Sequence, residues 1–81
     1  MSRTNNLWTE ITTVFRDVFQ DEDLSLTPDT KNSDIGQWTS LNHAILIDAL
    51  EKKFGIEFSI DEVLTMQSAG EIHDTIQKRL A

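Results

Sequence analysis

The stretch Gln37-Trp38-Thr39-Ser40-Leu41-Asn42-His43 runs straight into Ala44-Ile45-Leu46-Ile47-Asp48-Ala49-Leu50-Glu51-Lys52-Lys53-Phe54, and its reading decides the fold. A serine directly ahead of an apolar run of helical spacing reads as a helix N-cap, because its hydroxyl accepts an orphan N–H of the first turn. On that reading Ser40→Ala costs about 1 kcal/mol of stability. The helix it opens, Ser40 to near Phe54, is stopped by Gly55, which suits the turn after a helix end. At about 100° per residue, His43, Leu46, Ile47, Leu50 and Phe54 share one face, the expected core stripe. Leu41, Ile45, Asp48 and Lys52 form a second row on roughly the opposite side, apolar at its start and charged further along. A chain of 81 residues cannot easily sandwich both faces of one helix, so the second row is expected to be a docking face.

Toward the N-terminus, Leu7, Ile11, Val14, Phe15 and Val18, flanked by Trp8 and Phe19, predict an amphipathic helix from about Asn6 to Phe19, capped by Thr4, Asn5 or Asn6. Asp21 to Thr39 has no sustained period, and Leu24, Leu26 and Ile35 are expected to anchor it as a long loop. Thr27-Pro28 is expected to open a single helical turn there, since proline suits the first helical position. Toward the C-terminus, Ser59-Ile60-Asp61-Glu62 and Ser68-Ala69-Gly70-Glu71 both match the capping box. Between them fits only a short third helix, with Ile60, Val63 and Leu64 inward. The fourth places Ala69, Ile72, His73, Ile76 and Leu80 on one stripe and ends in Lys78-Arg79, favourable for the helix dipole. Ile56 to Phe58, the one strand candidate, has nothing to pair with. The expectation is an all-α four-helix bundle, a single domain over residues 1–81, with three longer helices, a short third one, and a long loop between the first two.

Fourteen acidic side chains against seven basic ones leave a net charge of -7, which repels phosphate backbones and anionic lipid and attracts basic protein surfaces. With 38% hydrophobic and 26% charged residues, the composition is that of a soluble globular domain. The absence of cysteine excludes disulfides and thiolate metal sites and leaves the chain without a thiol of its own. Met1 to Asn6 carries no apolar run of the secretory kind, and no stretch approaches the length of a membrane span, so a cytoplasmic protein is expected. His43 lies three residues after Ser40, within helical reach, yet no third group orients the imidazole and periodicity puts it on the core stripe. A metal site built from His43, His73 and nearby carboxylates has no recognised spacing behind it. Neither a catalytic nor a metal site is expected.

Trp38-Thr39-Ser40-Leu41, with Asn42 to Phe54 and Gly55-Ile56-Glu57-Phe58 after it, resembles the Asp-Ser-Leu region and second helix of the acyl carrier proteins. The likeness continues through the short third helix and the Ser68-Ala69-Gly70-Glu71 start of the fourth. It implies a carrier rather than an enzyme, in which Ser40 receives a 4′-phosphopantetheine arm from coenzyme A through a phosphopantetheinyl transferase. The arm's thiol would hold acyl intermediates as thioesters for enzymes of fatty-acid, polyketide or related specialised biosynthesis. The resemblance also implies that Thr39, Leu41, Ile45, Asp48 and Glu51 face partner enzymes with basic patches, and that the protein is a monomer binding neither nucleic acid nor membrane. Thr39 stands where the family usually has aspartate, a residue that contributes to recognition by the transferase. Lys52 and Lys53 stand where acidic residues are common. Ile35-Gly36-Gln37-Trp38 lacks the Gly-Gly pair of peptidyl carriers, which favours acyl over peptidyl or aminoacyl cargo. The alternative is a carrier-shaped interaction module without the arm, in which Ser40 is a cap alone.

Overall fold

A computed structural model describes residues 3–80, with side chains from residue 7 onward. The described residues form four α-helices, α1 (Arg3–Phe19), α2 (Ser40–Phe54), α3 (Ile60–Thr65) and α4 (Ala69–Leu80), with one 3-10 turn (Asn32–Asp34) in the long loop. No strand occurs among them, only an isolated antiparallel bridge between Lys31 and Ser68. The all-α expectation holds, with α1 packed on both α2 and α4.

Each long helix contributes its apolar stripe. Leu7, Ile11 and Phe15 of α1, Leu46 and Leu50 of α2, and Ile72 and Ile76 of α4 are all buried, together with Met66 from the segment joining α3 to α4. Fully burying an aliphatic or aromatic side chain of this size stabilises by about 1.5–3 kcal/mol, so these contacts supply the drive for assembly. Phe19 joins the core and Val18 is only partly buried, the reverse of their expected places on α1. Helix α1 also starts earlier than expected, at Arg3, so Thr4, Asn5 and Asn6 lie within it rather than capping it. Its C-terminal stop is Gln20, held in the left-handed region at φ 53°, which no glycine announces in the sequence. At the end of α2, Gly55 takes φ 66° as expected, and its N–H returns to Glu51 O.

The long loop is pinned by its anchors and by backbone pairing. Leu24 is buried, and Leu26 and Ile35 pack partly buried against the core. Thr27-Pro28 does not open a helical turn. Proline occupies the second position of a β-turn closed by Thr30 N to Thr27 O at 3.0 Å, and Thr30 Oγ1 accepts the Thr27 N–H at 2.9 Å. The loop then runs alongside the start of α4 through Asn32 N to Gln67 O at 2.9 Å, Ala69 N to Thr30 O at 2.8 Å and Gly70 N to Pro28 O at 3.1 Å. A Cβ on Gly70 would lie 2.5 Å from Pro28 O, so this approach requires glycine.

Helix α3 differs most from its expected pose. Its capping box is present, with Glu62 N donating to Ser59 Oγ at 3.1 Å and Ser59 N to Glu62 Oε1 at 2.8 Å. None of its residues is buried, however. Ile60 is 79% and Leu64 65% exposed, and only Val63 is partly buried against the core. Six residues are too few for a stripe to set the helix's rotation, and Met66, just beyond its end, takes the inward position instead. Helix α3 is held largely by polar contacts, among them Arg79 Nε donating to Glu62 Oε2 at 3.1 Å, with Arg79 Nη2 bonded to Glu62 Oε1. That guanidinium, helped by the Ser59 backbone N–H, holds the Glu62 carboxyl down to about 2.

Candidate attachment site around Ser40

Trp38 sets the geometry that leads into Ser40. Its indole is buried edge-on to Phe15, with centroids 5.2 Å apart at 86°, and Phe15 meets Phe19 in the same way at 5.6 Å and 90°. Asn42 Nδ2 donates to Gln37 O at 2.6 Å and Trp38 N to Ile35 O at 3.0 Å, closing the turn before the helix.

The cap of α2 is Thr39, not Ser40. Thr39 has extended backbone (φ -83°, ψ 173°), its Oγ1 accepts the Asn42 N–H at 3.2 Å, and its carbonyl accepts the first helical bond from His43 N at 2.7 Å. Threonine and serine are both good caps, and here the residue with extended backbone takes the role. Ser40 is therefore the first helical residue. Its side chain is exposed, and its hydroxyl makes no hydrogen bond among the described residues.

The free hydroxyl sits where backbone N–H groups and the helix dipole favour an anion. Beside it lies an open cavity of ≈ 310 Å³ lined by Asn32, Trp38, Thr39, Ser40, His43, Val63, Leu64 and Gln67. None of the lining residues is charged. A phosphodiester on Ser40 Oγ would meet polar amides and hydroxyls there, with no carboxylate to repel it, so the residues present fit such a group.

His43 cannot serve as a base for that hydroxyl. Trp38 Nε1–H is a donor only and points at His43 Nδ1 at 2.8 Å, so Nδ1 accepts. The proton then resides on Nε2, which donates to Val63 O at 3.2 Å. Both ring nitrogens are engaged, and the Ser–His pairing suggested by spacing does not form. His73 is buried and stacked on Trp8 with centroids 4.5 Å apart, its Nδ1 3.3 Å from Asp74 Oδ1. The two histidines thus belong to separate clusters, and no group of His, Asp and Glu able to hold a metal ion occurs among the described residues.

The second row of α2 is exposed: Leu41 at 72% and Ile45 at 47%. Asp48 is exposed too but forms an ion pair with Lys52 at 3.0 Å. Glu51, in contrast, is partly buried, and its Oε2 accepts the Phe58 N–H at 2.8 Å, bracing the turn between α2 and α3. Helical periodicity gave no hint of the Trp38–His43–Val63 chain or of the Glu51 brace, because each joins segments that meet only in the folded chain.

Comparison with known proteins defines the class. Residues 9–76 match the family described as "Phosphopantetheine attachment site". Among solved structures, the chain is similar to the holo acyl carrier protein from Geobacter metallireducens determined by solution NMR. It is 35% identical, covering 93% of this chain and 86% of that one, with a TM-score of 0.87. A search of curated proteins gives no match. The chain belongs to the phosphopantetheine-attachment carriers, proteins of acyl carrier type that are not enzymes and hold 4′-phosphopantetheine covalently. No helix among the described residues is long and apolar enough to cross a membrane.

Proposed function

We propose that Ser40 is the attachment point of 4′-phosphopantetheine and that the chain carries acyl groups as thioesters to partner enzymes of fatty-acid, polyketide or related specialised biosynthesis. The observation that carries this reading is the division of labour at the start of α2: Thr39 caps the helix, and the Ser40 hydroxyl is left exposed and uncommitted. The arm, once attached, supplies the thiol that a chain without cysteine lacks. What the chain's own residues contribute is a dipole-favoured anchor for the phosphodiester and an uncharged wall beside it.

Leu41 and Ile45 are the apolar centre of the docking surface, with Thr39 at its edge and Asp48 and Glu51 along its charged side. Lys52 offsets the charge of Asp48 locally, so steering toward a basic partner comes mainly from the net charge of -7. The same net charge disfavours self-association, in keeping with a cytoplasmic monomer.

The test is intact-mass analysis after incubation with coenzyme A and a phosphopantetheinyl transferase of broad specificity. One phosphopantetheine adduct is expected on the wild-type chain and none on Ser40→Ala. No wild-type adduct, or an equal adduct on Ser40→Ala, refutes the assignment. A second reading, an interaction module without the arm, is favoured by the neutral Thr39 at the position before the serine. Thr39→Asp separates the two: loading of the variant alone favours the module, whereas loading of the wild-type chain as well favours the carrier.

A further inference from the structure

Helix α3 forms one wall of the cavity beside Ser40 through Val63 and Leu64, yet no residue of α3 is buried. Apolar packing reaches it only through Val63, and polar ties must do much of the seating. The Gln67 N–H that would close an α-helical bond to Val63 O goes instead to Thr65 O at 3.0 Å, which leaves Val63 O a helix-end carbonyl without a backbone partner. His43 Nε2–H supplies that partner from α2. The imidazole is in turn held by a buried indole packed against Phe15 and Phe19.

We infer that His43 is a positioning residue that seats α3 beside the attachment serine, and that it does so only as the neutral, Nε2-protonated tautomer. A protonated ring carries N–H on both nitrogens and so turns a donor toward the Trp38 N–H at the 2.8 Å separation. The indole is buried among aromatic rings whereas the imidazole is half-buried, so the imidazolium is the ring that shifts and its grip on Val63 O loosens. The opposing effect is the attraction of a cation to the C-terminal carbonyls of α3. It has no charged helper: neither Trp38 nor any cavity-lining residue from the loop or α3 is charged. The nearest α3 ion pair, Glu62–Arg79, does not titrate in the same range, since Glu62 is held down to about 2. Lys31 and Asp34 flank Asn32, and the Asp34 carboxylate accepts the Lys31 N–H at 3.0 Å.

The tautomer and the seating stand on geometry alone. Their consequence for the group carried on Ser40 rests on the attachment reading above, and the mass measurement judges that separately. The purified chain is examined by NMR from about pH 8 to about pH 5, the range of histidine charge change. The nitrogen shifts of both histidine rings are followed alongside hydrogen exchange of α3 amides, corrected for the intrinsic pH dependence of exchange. At the high end His43 should read as protonated on Nε2 only, and α3 exchange should quicken by up to about tenfold, the loss of one hydrogen bond, once the ring carries a second proton. His43→Gln, which keeps a donor for Val63 O and does not titrate, should remove that step. Trp38→Phe should keep the His43 titration while removing its effect on α3. His73→Gln should leave the step unchanged. The inference is overturned if His43 carries its proton on Nδ1, if α3 exchange is flat or slows as His43 titrates, or if the full step survives in His43→Gln. The wild-type measurement decides even where a variant fails to fold.

Discussion

Thr39→Ala removes the Oγ1 that accepts the Asn42 N–H and leaves the backbone bond from His43 N to Thr39 O in place. The side chain is exposed, so little apolar burial is lost with it and the cost is that of the cap alone, about 1 kcal/mol. For 81 residues at about 2.1 cal/mol/K each, the unfolding entropy is about 0.17 kcal/mol/K, and the thermal midpoint should fall by about 6 °C. Ser40→Ala removes an exposed hydroxyl with no partner and should stay within about 0.5 kcal/mol of wild type, a shift of about 3 °C or less. Thr39→Ser keeps an acceptor at the cap and should recover most of the loss. Thermal and urea unfolding followed by far-UV circular dichroism, on chains without the arm, read all three variants. Equal destabilisation by Ser40→Ala, or none by Thr39→Ala, would refute the assignment of the cap and with it the argument that Ser40 is free for modification.

Two further substitutions probe what holds the loop and α3. Gly70→Ala ordinarily raises helix propensity by about 1 kcal/mol. Here its Cβ would meet Pro28 O at 2.5 Å, so the variant should instead be destabilised by about 1–3 kcal/mol in urea unfolding, and a stabilised variant would contradict the close approach. Arg79→Gln removes the main cause of the lowered Glu62 value. A carboxyl with a lowered folded value contributes stability that is present above the ordinary glutamate range and lost as the pH falls through about 2. The thermal midpoint of Arg79→Gln should therefore fall less steeply than that of wild type between about pH 4.5 and about pH 2. Superimposable curves would count against the ion pair.

Much of this arrangement is legible in the sequence. The two faces of α2, its Gly55 stop, the capping box of α3 and the inward stripe of α4 follow from spacing and from residue chemistry that acts within one turn of helix. The residues that misled are instructive. Ser40 and Thr39 are near-equal caps, and the choice between them depends on where the turn is pinned by Trp38 against Phe15 and Phe19. Ile60 and Leu64 look inward because they are apolar, but a six-residue helix takes its rotation from Met66 and from its polar ties to Arg79 and His43. Glu51 reads as one more acidic docking residue, and nothing local shows that one oxygen of its carboxylate also braces the Phe58 backbone N–H.

The sequence by itself determined the helices, the acidic charge, the serine at the head of a two-faced helix and the lack of a thiol. Those features depend on composition and on neighbours no more than four residues apart, where periodicity and capping rules apply. Only the tertiary structure decided that Ser40 has a free hydroxyl, that both nitrogens of His43 are spoken for, and that α3 turns its leucine and isoleucine outward. The Val63 carbonyl that receives His43 is twenty residues away along the chain, and no local pattern carries information across that distance.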